Sequence, residues 1–169
     1  MKKIILTAVV FMSAQISQAG IYLEPYIGTS FQSLESGTIP AGDLSGETIG
    51  ARIGYSIPLF TAALDITTGS PKAELSGTNN SADLMRTGVT LIFAPPILPF
   101  NVLAGYYRAN LDVGSPVNTD YSGDGTKIGV MFTMLPIVNI NVEYFNTNYG
   151  ADSLKDKGLV VGVSADFEL

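Results

Sequence analysis

The stretch Gly158-Leu-Val-Val-Gly-Val-Ser-Ala-Asp-Phe-Glu-Leu169 decides the fold of this chain. From Leu159 onward every second residue is apolar, and glycine, serine and acidic residues fill most of the alternate positions. Because successive side chains of a β-strand point to opposite faces, this order predicts a strand with one apolar face. The same alternation recurs along most of the chain, between segments rich in turn residues. Such a pattern is typical of a sheet that closes on itself in a lipid bilayer.

The composition is apolar for a chain with so few charges. Hydrophobic residues make up 46% of the 169 residues and charged residues 14%, and the mean hydropathy is +0.30. After the N-terminus, no run approaches the ~18 uninterrupted apolar residues that a membrane-spanning helix needs. The chain has no cysteine, so we expect sheet hydrogen bonding and burial, and not disulfides, to hold it together.

The first 19 residues are predicted to be a secretory signal peptide that is cleaved. Lys2 and Lys3 form a positive n-region, a short apolar core follows, and Ser17 and Ala19 are small residues at the cleavage-determining positions. We therefore expect residues 20–169 to form one barrel domain. Without Lys2 and Lys3 the chain carries 7 basic and 15 acidic residues, a net charge of −8, which disfavours a nucleic-acid partner.

Turn residues divide the chain into eight predicted antiparallel strands. Three short connections contain proline, which lacks the donor that a strand ladder needs, and four longer connections are rich in Gly, Ser, Asn and Asp. The short connections lie at residues 57–59, 94–99 and 135–137, and the long ones at about 34–45, 69–82, 112–125 and 147–157. The predicted strands are residues 20–33, 46–57, 60–69, 83–93, 100–111, 126–135, 137–146 and 158–169. The even number places both termini on the side of the short turns, which is the periplasmic side in bacterial outer-membrane barrels; the long loops are then extracellular.

The two faces of the predicted strands differ in charge. One phase carries apolar residues without charge, such as Ile27, Ile49 and Leu64, and is expected to face lipid. The other phase is expected to face the barrel lumen, and it contains seven glycines that leave room for long side chains. It also contains the mid-strand charged residues, which are Glu24, Arg52, Asp65, Arg86, Lys127, Glu143 and Asp166.

The inward charges have two possible roles. They could neutralise one another across the lumen, or they could line a path for ions. Charges in a narrow interior are costly unless they are paired, and both signs occur on neighbouring strands. The sequence therefore favours a plug of ion pairs over an open pore, since eight strands enclose little space.

With these strands and faces, the chain resembles the small eight-stranded outer-membrane barrels of the OmpA/OmpX-like superfamily. The resemblance covers residues 20–169 and rests on topology and pattern. The closing residues 161–169 are similar to the C-terminal strand by which such proteins are recognised for insertion, with Phe167 as the penultimate outward residue. The last residue is Leu169, where an aromatic residue is usual. The resemblance implies the outer membrane of a Gram-negative bacterium, contact with outer-membrane lipid and lipopolysaccharide, and the barrel-assembly machinery as a partner of the closing strand.

The sequence predicts no catalytic residue, cofactor site or metal site. Histidine is absent, which excludes a hydrolase or acyltransferase that uses a His base, and also a zinc site of the usual His/Cys kind. Asp120 and Asp124 flank a Gly-containing segment that could hold a divalent cation, but the segment lacks the ligand spacing of an EF-hand. A solvated loop is the simpler interpretation, because Asp and Gly are ordinary turn residues.

Three functions remain open at this stage. The leading hypothesis is a non-enzymatic outer-membrane barrel with a structural role, or with a surface-interaction role through its loops. The alternative is a narrow porin-like channel for small solutes or ions, whose selectivity Arg52, Arg86 and Lys127 would tune. A soluble periplasmic lipocalin-like binding barrel would require the inverse pattern, with apolar residues inside and charges outside.

Overall fold

The computed structural model describes residues 19–35, 42–75, 78–114, 119–133, 137–150 and 154–169. The predicted signal peptide, apart from its last residue, lies outside the described residues. No helix in the described part is long and apolar enough to cross a membrane. The ten strands are β1 (Gly20–Glu35), β2 (Gly42–Ile57), β3 (Phe60–Gly69), β4 (Lys72–Leu75), β5 (Thr78–Phe93), β6 (Phe100–Val113), β7 (Thr119–Phe132), β8 (Val138–Tyr149), β9 (Leu154–Ala165) and β10 (Phe167–Glu168).

The strands form one closed antiparallel barrel. Chain neighbours pair in order, and β9 and β10 both pair with β1, which itself pairs with β2. Strands β3 and β4 share one place between β2 and β5. Ten segments therefore make eight barrel strands, and the predicted eight-stranded antiparallel barrel is confirmed.

The two ends of the barrel are built differently. At the turn end, the connections are residues 58–59, 94–99 and 133–137. The start of β1 meets the C-terminal residue there through paired backbone bonds between Ile21 and Leu169, each 2.9 Å long. In the tight turn Pro58-Leu59, Leu59 has a positive φ of 76°. At the hairpin end, the segments between strands are residues 36–41, 76–77, 114–118 and 150–153.

The prediction of four longer loops at the hairpin end is not confirmed. Strand β2 begins at Gly42 and not near residue 46, and β7 begins at Thr119 and not near residue 126. The segments between strands are therefore about as short at this end as at the other. The turn-type residues lie instead on strands that continue past the apolar outer surface, where water can solvate the outward side chains while the backbone stays paired. At the hairpin end, the described strands thus extend beyond the bounds that the sequence predicted.

The middle of the outer surface is an apolar belt. Predicted outward residues are exposed there, including Ile49 at 58%, Leu64 at 61% and Leu91 at 63%. Near the turn end the belt carries aromatic pairs, of which Phe60 and Phe93 have ring centroids 5.1 Å apart. The charged phase points inward, so the lipocalin-like pattern is excluded. Exposed apolar side chains and a buried polar interior are the arrangement that a barrel adopts in lipid.

Candidate functional site in the barrel interior

Glycines on the inner wall make room for the interior side chains. Gly28 on β1 and Gly162 on β9 face each other in the ladder, so that neither strand carries a side chain at this level. The ring of Tyr26 lies over Gly50, where a Cβ atom would come within 2.4 Å of Tyr26 Cζ. A barrel of eight strands has little free interior, so bare backbone on one strand is what allows a ring on the next to lie flat.

Arg52 is the centre of a buried ion cluster at mid-barrel. Its Nη1 donates to Glu24 Oε2 at 2.8 Å, and its Nε donates to Asp65 Oδ2 at 2.8 Å. Its Nη2 donates to Glu143, which lies on β8 across the lumen. The guanidinium carbon also lies 4.6 Å from the centroid of the Tyr26 ring. One arginine on β2 thus ties together carboxylates from β1, β3 and β8.

Lys127 on β7 completes this cluster from the opposite wall. Its Nζ donates to Asp65 and, at 2.9 Å, to Glu143 Oε2. Asp65 also accepts hydrogen bonds from the Tyr26 hydroxyl at 2.8 Å and the Thr90 hydroxyl at 3.1 Å. All these side chains are buried, so protein partners take the place of the water shell around each ionic group. Five of the seven inward charges that the sequence indicated belong to this one network.

Arg86 belongs to a second layer, nearer the hairpin end. Its Nη2 donates to Asp156 Oδ2 at 3.0 Å and to Gln32 Oε1 at 2.6 Å, and its guanidinium carbon lies 4.5 Å from the centroid of the Phe145 ring. Asp156 falls in the long connection predicted at about residues 147–157, and the structure corrects this: Asp156 is fully buried on β9. The sequence contains the pattern that predicts this burial. The inward phase of the closing strand continues back through Val160, Gly158, Asp156 and Leu154.

Asp166 belongs to neither ion-pair network and lies near the turn end. It interrupts the strand between β9 and β10, is half-buried, and accepts a hydrogen bond from Asn139 Nδ2 at 2.9 Å. It forms no ion pair with a basic side chain of the described residues. Glu24, a member of the central cluster, also accepts bonds from the Tyr22 hydroxyl at 2.6 Å and from Asn141 Nδ2 at 3.3 Å.

Apolar side chains close the interior above and below the charged layers. At the turn end, the buried group comprises Tyr22, Ala63, Ile92, Leu103 and Met131. At the hairpin end, a larger buried group comprises Leu34, Leu44, Ala82, Leu84, Tyr107, Ala109, Leu111, Val113, Tyr121, Phe145, Tyr149, Leu154 and Val160. The inward side chains of β6, among them Leu103, Tyr107 and Leu111, belong to these two groups.

Little empty space remains between the layers. A cavity bordered by Asp65, Arg86, Lys127 and Phe145 has a volume of about 10 Å³. That is room for one water molecule at most. Larger depressions lie on the outer wall of the barrel. One of them, beside Phe31 and Ile49, has a volume of about 800 Å³.

The described residues offer no ready-made catalytic centre. No three Asp, Glu, His or Cys side chains of the described part are grouped as metal ligands. The Asp120 to Asp124 segment is not a loop: it belongs to β7, and both carboxylates lie on the outer face. The interior carboxylates of the central cluster are held by arginine, lysine and tyrosine, which leaves them without access to a substrate. The arrangement is suited to rigidity and to closure of the lumen.

Comparison with known proteins places the fold but not the activity. No protein-family model matches the chain, and no characterised protein matches it by sequence. Among solved structures, Neisserial surface protein A (NspA) has a TM-score of 0.61 at 19% identity, over 89% of this chain and 100% of that one. Ail, the attachment invasion locus protein of Yersinia pestis, has a TM-score of 0.60 at 13% identity, over 88% and 99%. The outer membrane protein OprG from Pseudomonas aeruginosa has a TM-score of 0.57 at 11% identity, over 90% and 98%. The chain therefore has the fold of the small eight-stranded outer-membrane β-barrels, as its resemblance to OmpA/OmpX-like proteins implied.

Proposed function

We propose that this protein is an integral outer-membrane barrel that is closed to ions. Its role is to be a rigid anchor for the surface that the hairpins form outside the membrane. The observation that carries the proposal is the filled interior, in which two layers of ion pairs lie between two apolar groups. A conducting pore needs a continuous polar path, and here both ends of the charged layers are covered by side chains such as Leu103 and Leu111, which are fully buried.

The apolar belt supports a location within a bilayer. Its exposed Ile, Leu, Val and Phe side chains would be a liability in water, and a barrel has no open strand edge to satisfy. Two of the similar solved structures, OprG from Pseudomonas aeruginosa and Ail from Yersinia pestis, are outer-membrane proteins. Outer-membrane lipid and lipopolysaccharide are therefore the proposed surroundings of the belt.

The hairpin surface is where a partner would bind. Acidic residues outnumber basic ones on its described outer face. The acidic residues are Glu35, Asp43, Glu47, Asp83, Asp112, Asp120 and Asp124, and the basic ones are Lys72, Arg108, Lys155 and Lys157. Ail has been solved in complex with the heparin analogue sucrose octasulfate. The acidic excess on this chain disfavours a polyanion of that kind, so we propose a neutral or basic surface partner.

A non-enzymatic role fits the chemistry of the interior. The chain has no histidine, and the central carboxylates already bind Arg52 and Lys127. A general acid or base needs contact with a substrate, and the interior has no space for one. We also propose that the barrel-assembly machinery recognises residues 161–169, where Phe167 and Leu169 are exposed at 44% and 82%.

Single-channel recording tests the proposal against the narrow-channel alternative. The chain without its first 19 residues is refolded, its folding is checked by the mobility shift between unboiled and boiled samples, and it is inserted into a planar bilayer. We expect a folded barrel without discrete openings, beside a large porin that conducts under the same conditions. Reproducible openings whose ion selectivity changes in Arg52→Ala or Arg86→Ala would overturn the closed-barrel proposal.

A further inference from the structure

The turn-end side of the interior carries negative charge that the described side chains do not balance. In the central cluster, Arg52 and Lys127 face three carboxylates. Asp166 adds a fourth carboxylate without an ion-pair partner among the described residues. The Arg86 layer does not help, because its one cation is already matched by Asp156. Buried or half-buried charge without compensation is costly, so a further positive species is expected near these acids.

The imbalance is concentrated at Glu24 and Asp166. Asp65 and Glu143 each bind both central cations, whereas Glu24 binds Arg52 and Asp166 binds neither. The ladder between β1 and the closing strand pairs Leu23 with Phe167 on one side and Tyr26 with Ser164 on the other. Glu24 is therefore directly opposite Asp166, and both belong to the inward phase. Like charges at opposed positions repel unless something lies between them.

Two buried oxygen atoms without a hydrogen-bond partner lie in the same region. Asn141 Oδ1 is unpartnered, while the amide nitrogen of the same side chain donates to Glu24 Oε1 at 3.3 Å. Ser164 Oγ is also unpartnered, and Ser164 lies two residues before Asp166 on the same face. Asn141 is 2% exposed and Ser164 5% exposed, so bulk water does not hydrogen-bond to these two oxygens. Unsatisfied buried polar atoms in a folded protein call for a partner.

We infer that Glu24, Asp166, Asn141 and Ser164 form a binding site for a hard metal cation near the turn end of the barrel interior. Carboxylate, amide and hydroxyl oxygens are the ligands of Ca²⁺ and other hard cations, and no nitrogen or sulfur ligand is present to favour zinc. The described residues contain no grouping of three acidic side chains that could hold a metal ion. The site proposed here is of a different kind, because two of its four ligands are neutral oxygens. A proton shared by the two carboxylates would balance one charge but would leave the Asn141 and Ser164 oxygens without a partner. Because Asp166 is half-buried at the barrel end, an ion can reach it without crossing the apolar groups.

Terbium luminescence provides a direct test, since Tb³⁺ replaces Ca²⁺ on oxygen ligands and is excited through nearby aromatic rings. The chain has no tryptophan, and the Tyr22 hydroxyl is 2.6 Å from Glu24 Oε2, so this tyrosine is placed to sensitise a bound ion. The full barrel is refolded in detergent after removal of metal with a chelator and titrated with Tb³⁺. We expect saturable luminescence that Ca²⁺ reverses, that Asp166→Asn abolishes, and that Ser164→Ala weakens. Asp120→Asn removes the same charge from the outer face at the other end and is expected to keep the signal.

Resistance to urea gives a second, independent measurement. At constant ionic strength, with choline chloride as the balancing salt, Ca²⁺ or Na⁺ is expected to raise the unfolding midpoint of the unaltered chain, because a ligand that binds only the folded state stabilises it. A response to Ca²⁺ alone would define a divalent site, and an equal response to Na⁺ a monovalent one. The inference is overturned if neither ion raises the midpoint, or if Asp166→Asn responds as the unaltered chain does. An Asp166→Asn barrel that folds, shown by its gel shift, keeps the test independent of folding.

Discussion

Arg86 on β5 and Asp156 on β9 form a buried ion pair across the barrel interior, with 3.0 Å between Nη2 and Oδ2. The two residues are 70 positions apart in the chain, and both are almost fully buried. Phe145 and Tyr107 lie beside the guanidinium, at 4.5 Å and 5.6 Å from their ring centroids. The pair therefore joins opposite walls of the barrel in a largely apolar setting, where removing either partner leaves a charge without compensation.

We expect Arg86→Ala to destabilise the barrel by about 3–5 kcal/mol, the usual loss when one partner of a buried pair is removed. The cause is the stranded Asp156 carboxylate, so the double variant Arg86→Met with Asp156→Leu should recover much of the loss. Because the chain has no tryptophan, unfolding in urea is followed by gel mobility and far-ultraviolet circular dichroism. An unchanged midpoint in Arg86→Ala would contradict the ion-pair interpretation.

The exposed pair Lys157 and Glu35 is the matched contrast. Their Nζ and Oε2 atoms are 3.0 Å apart, and their side chains are 39% and 56% exposed. The hydrogen bond from Lys157 to Glu35, together with the charge of Glu35, raises the pKa of this lysine above its ordinary value. Any stability from the pair is thus fully present below the ordinary lysine pKa and is lost as the pH rises through the raised one.

For Glu35→Gln we expect the Lys157 pKa to return towards its ordinary value while the urea midpoint at neutral pH stays the same. Solvent and salt screen an exposed pair, so the free energy that it contributes to folding is small. A nuclear magnetic resonance titration of the labelled lysine side chain measures the pKa. A midpoint loss as large as that of Arg86→Ala would show that exposure does not distinguish the two pairs.

Asp65 is predicted to be the most sensitive carboxylate in the interior. It accepts hydrogen bonds from Arg52, Lys127, Tyr26 and Thr90, which come from four other strands. We expect Asp65→Asn to cost at least the roughly 3 kcal/mol of a broken buried pair, because the amide presents donors to Arg52 and Lys127 and removes a charge that both need. Asp120→Asn makes the same chemical change on the outer face and serves as the control. Equal urea midpoints for the two variants would refute the prediction.

Strand phase was predictable from this sequence, whereas the contacts across the lumen were not. Alternation alone assigns Arg52 and Glu143 to the inward face, since side chains alternate along any strand. Which inward residues meet depends on strand tilt and stagger in the closed barrel, and these bring β2 and β8 together although they are not ladder neighbours. For the same reason Arg86 could be placed inside, but its pairing with Asp156 could not be predicted.

Strand ends were the other limit of sequence reasoning. Polar residues near 119–125 match turn composition, and they also suit the water-exposed face of a strand that has left the apolar belt. The apolar inward phase of β6, with Leu103, Tyr107 and Leu111, could not be explained by a polar lumen. It is explained once the extended strands are seen to enclose an apolar group of their own.

Asp112 offers a prediction in the stabilising direction. In the ladders it lies opposite Asp83 on β5 and opposite Asp120 on β7, and all three carboxylates are exposed on the outer face. Like charges at directly opposed positions are unfavourable, and opposite charges contribute about 0.2–1 kcal/mol per pair. We therefore expect Asp112→Lys to raise the urea midpoint at low salt, with a smaller gain at high salt. Asp112→Asn should give an intermediate value, and no gain in either variant would mean that this row is already fully screened.

The contact between Gly54 and the neighbouring strand gives the last prediction. A Cβ atom at Gly54 would lie 2.0 Å from the carbonyl oxygen of Ala62, which belongs to the backbone of β3 and cannot rotate away. Gly54→Ala must therefore push two paired strands apart or break their ladder, and we expect it to cost about 1–3 kcal/mol or more, as overpacking does.

Gly150 is the matched control for this prediction, because a Cβ atom there would have no atom of the described residues within 4 Å. Both variants add one methyl group and restrict the unfolded chain equally, so that the entropy gain of replacing glycine is common to both. The difference between the two urea midpoints consequently reports the strand contact alone. Equal urea midpoints for Gly54→Ala and Gly150→Ala would contradict the prediction. The inner wall would then be less crowded than the close approach of β2 and β3 implies, and the glycines would not be the reason that the lumen can hold its ion pairs.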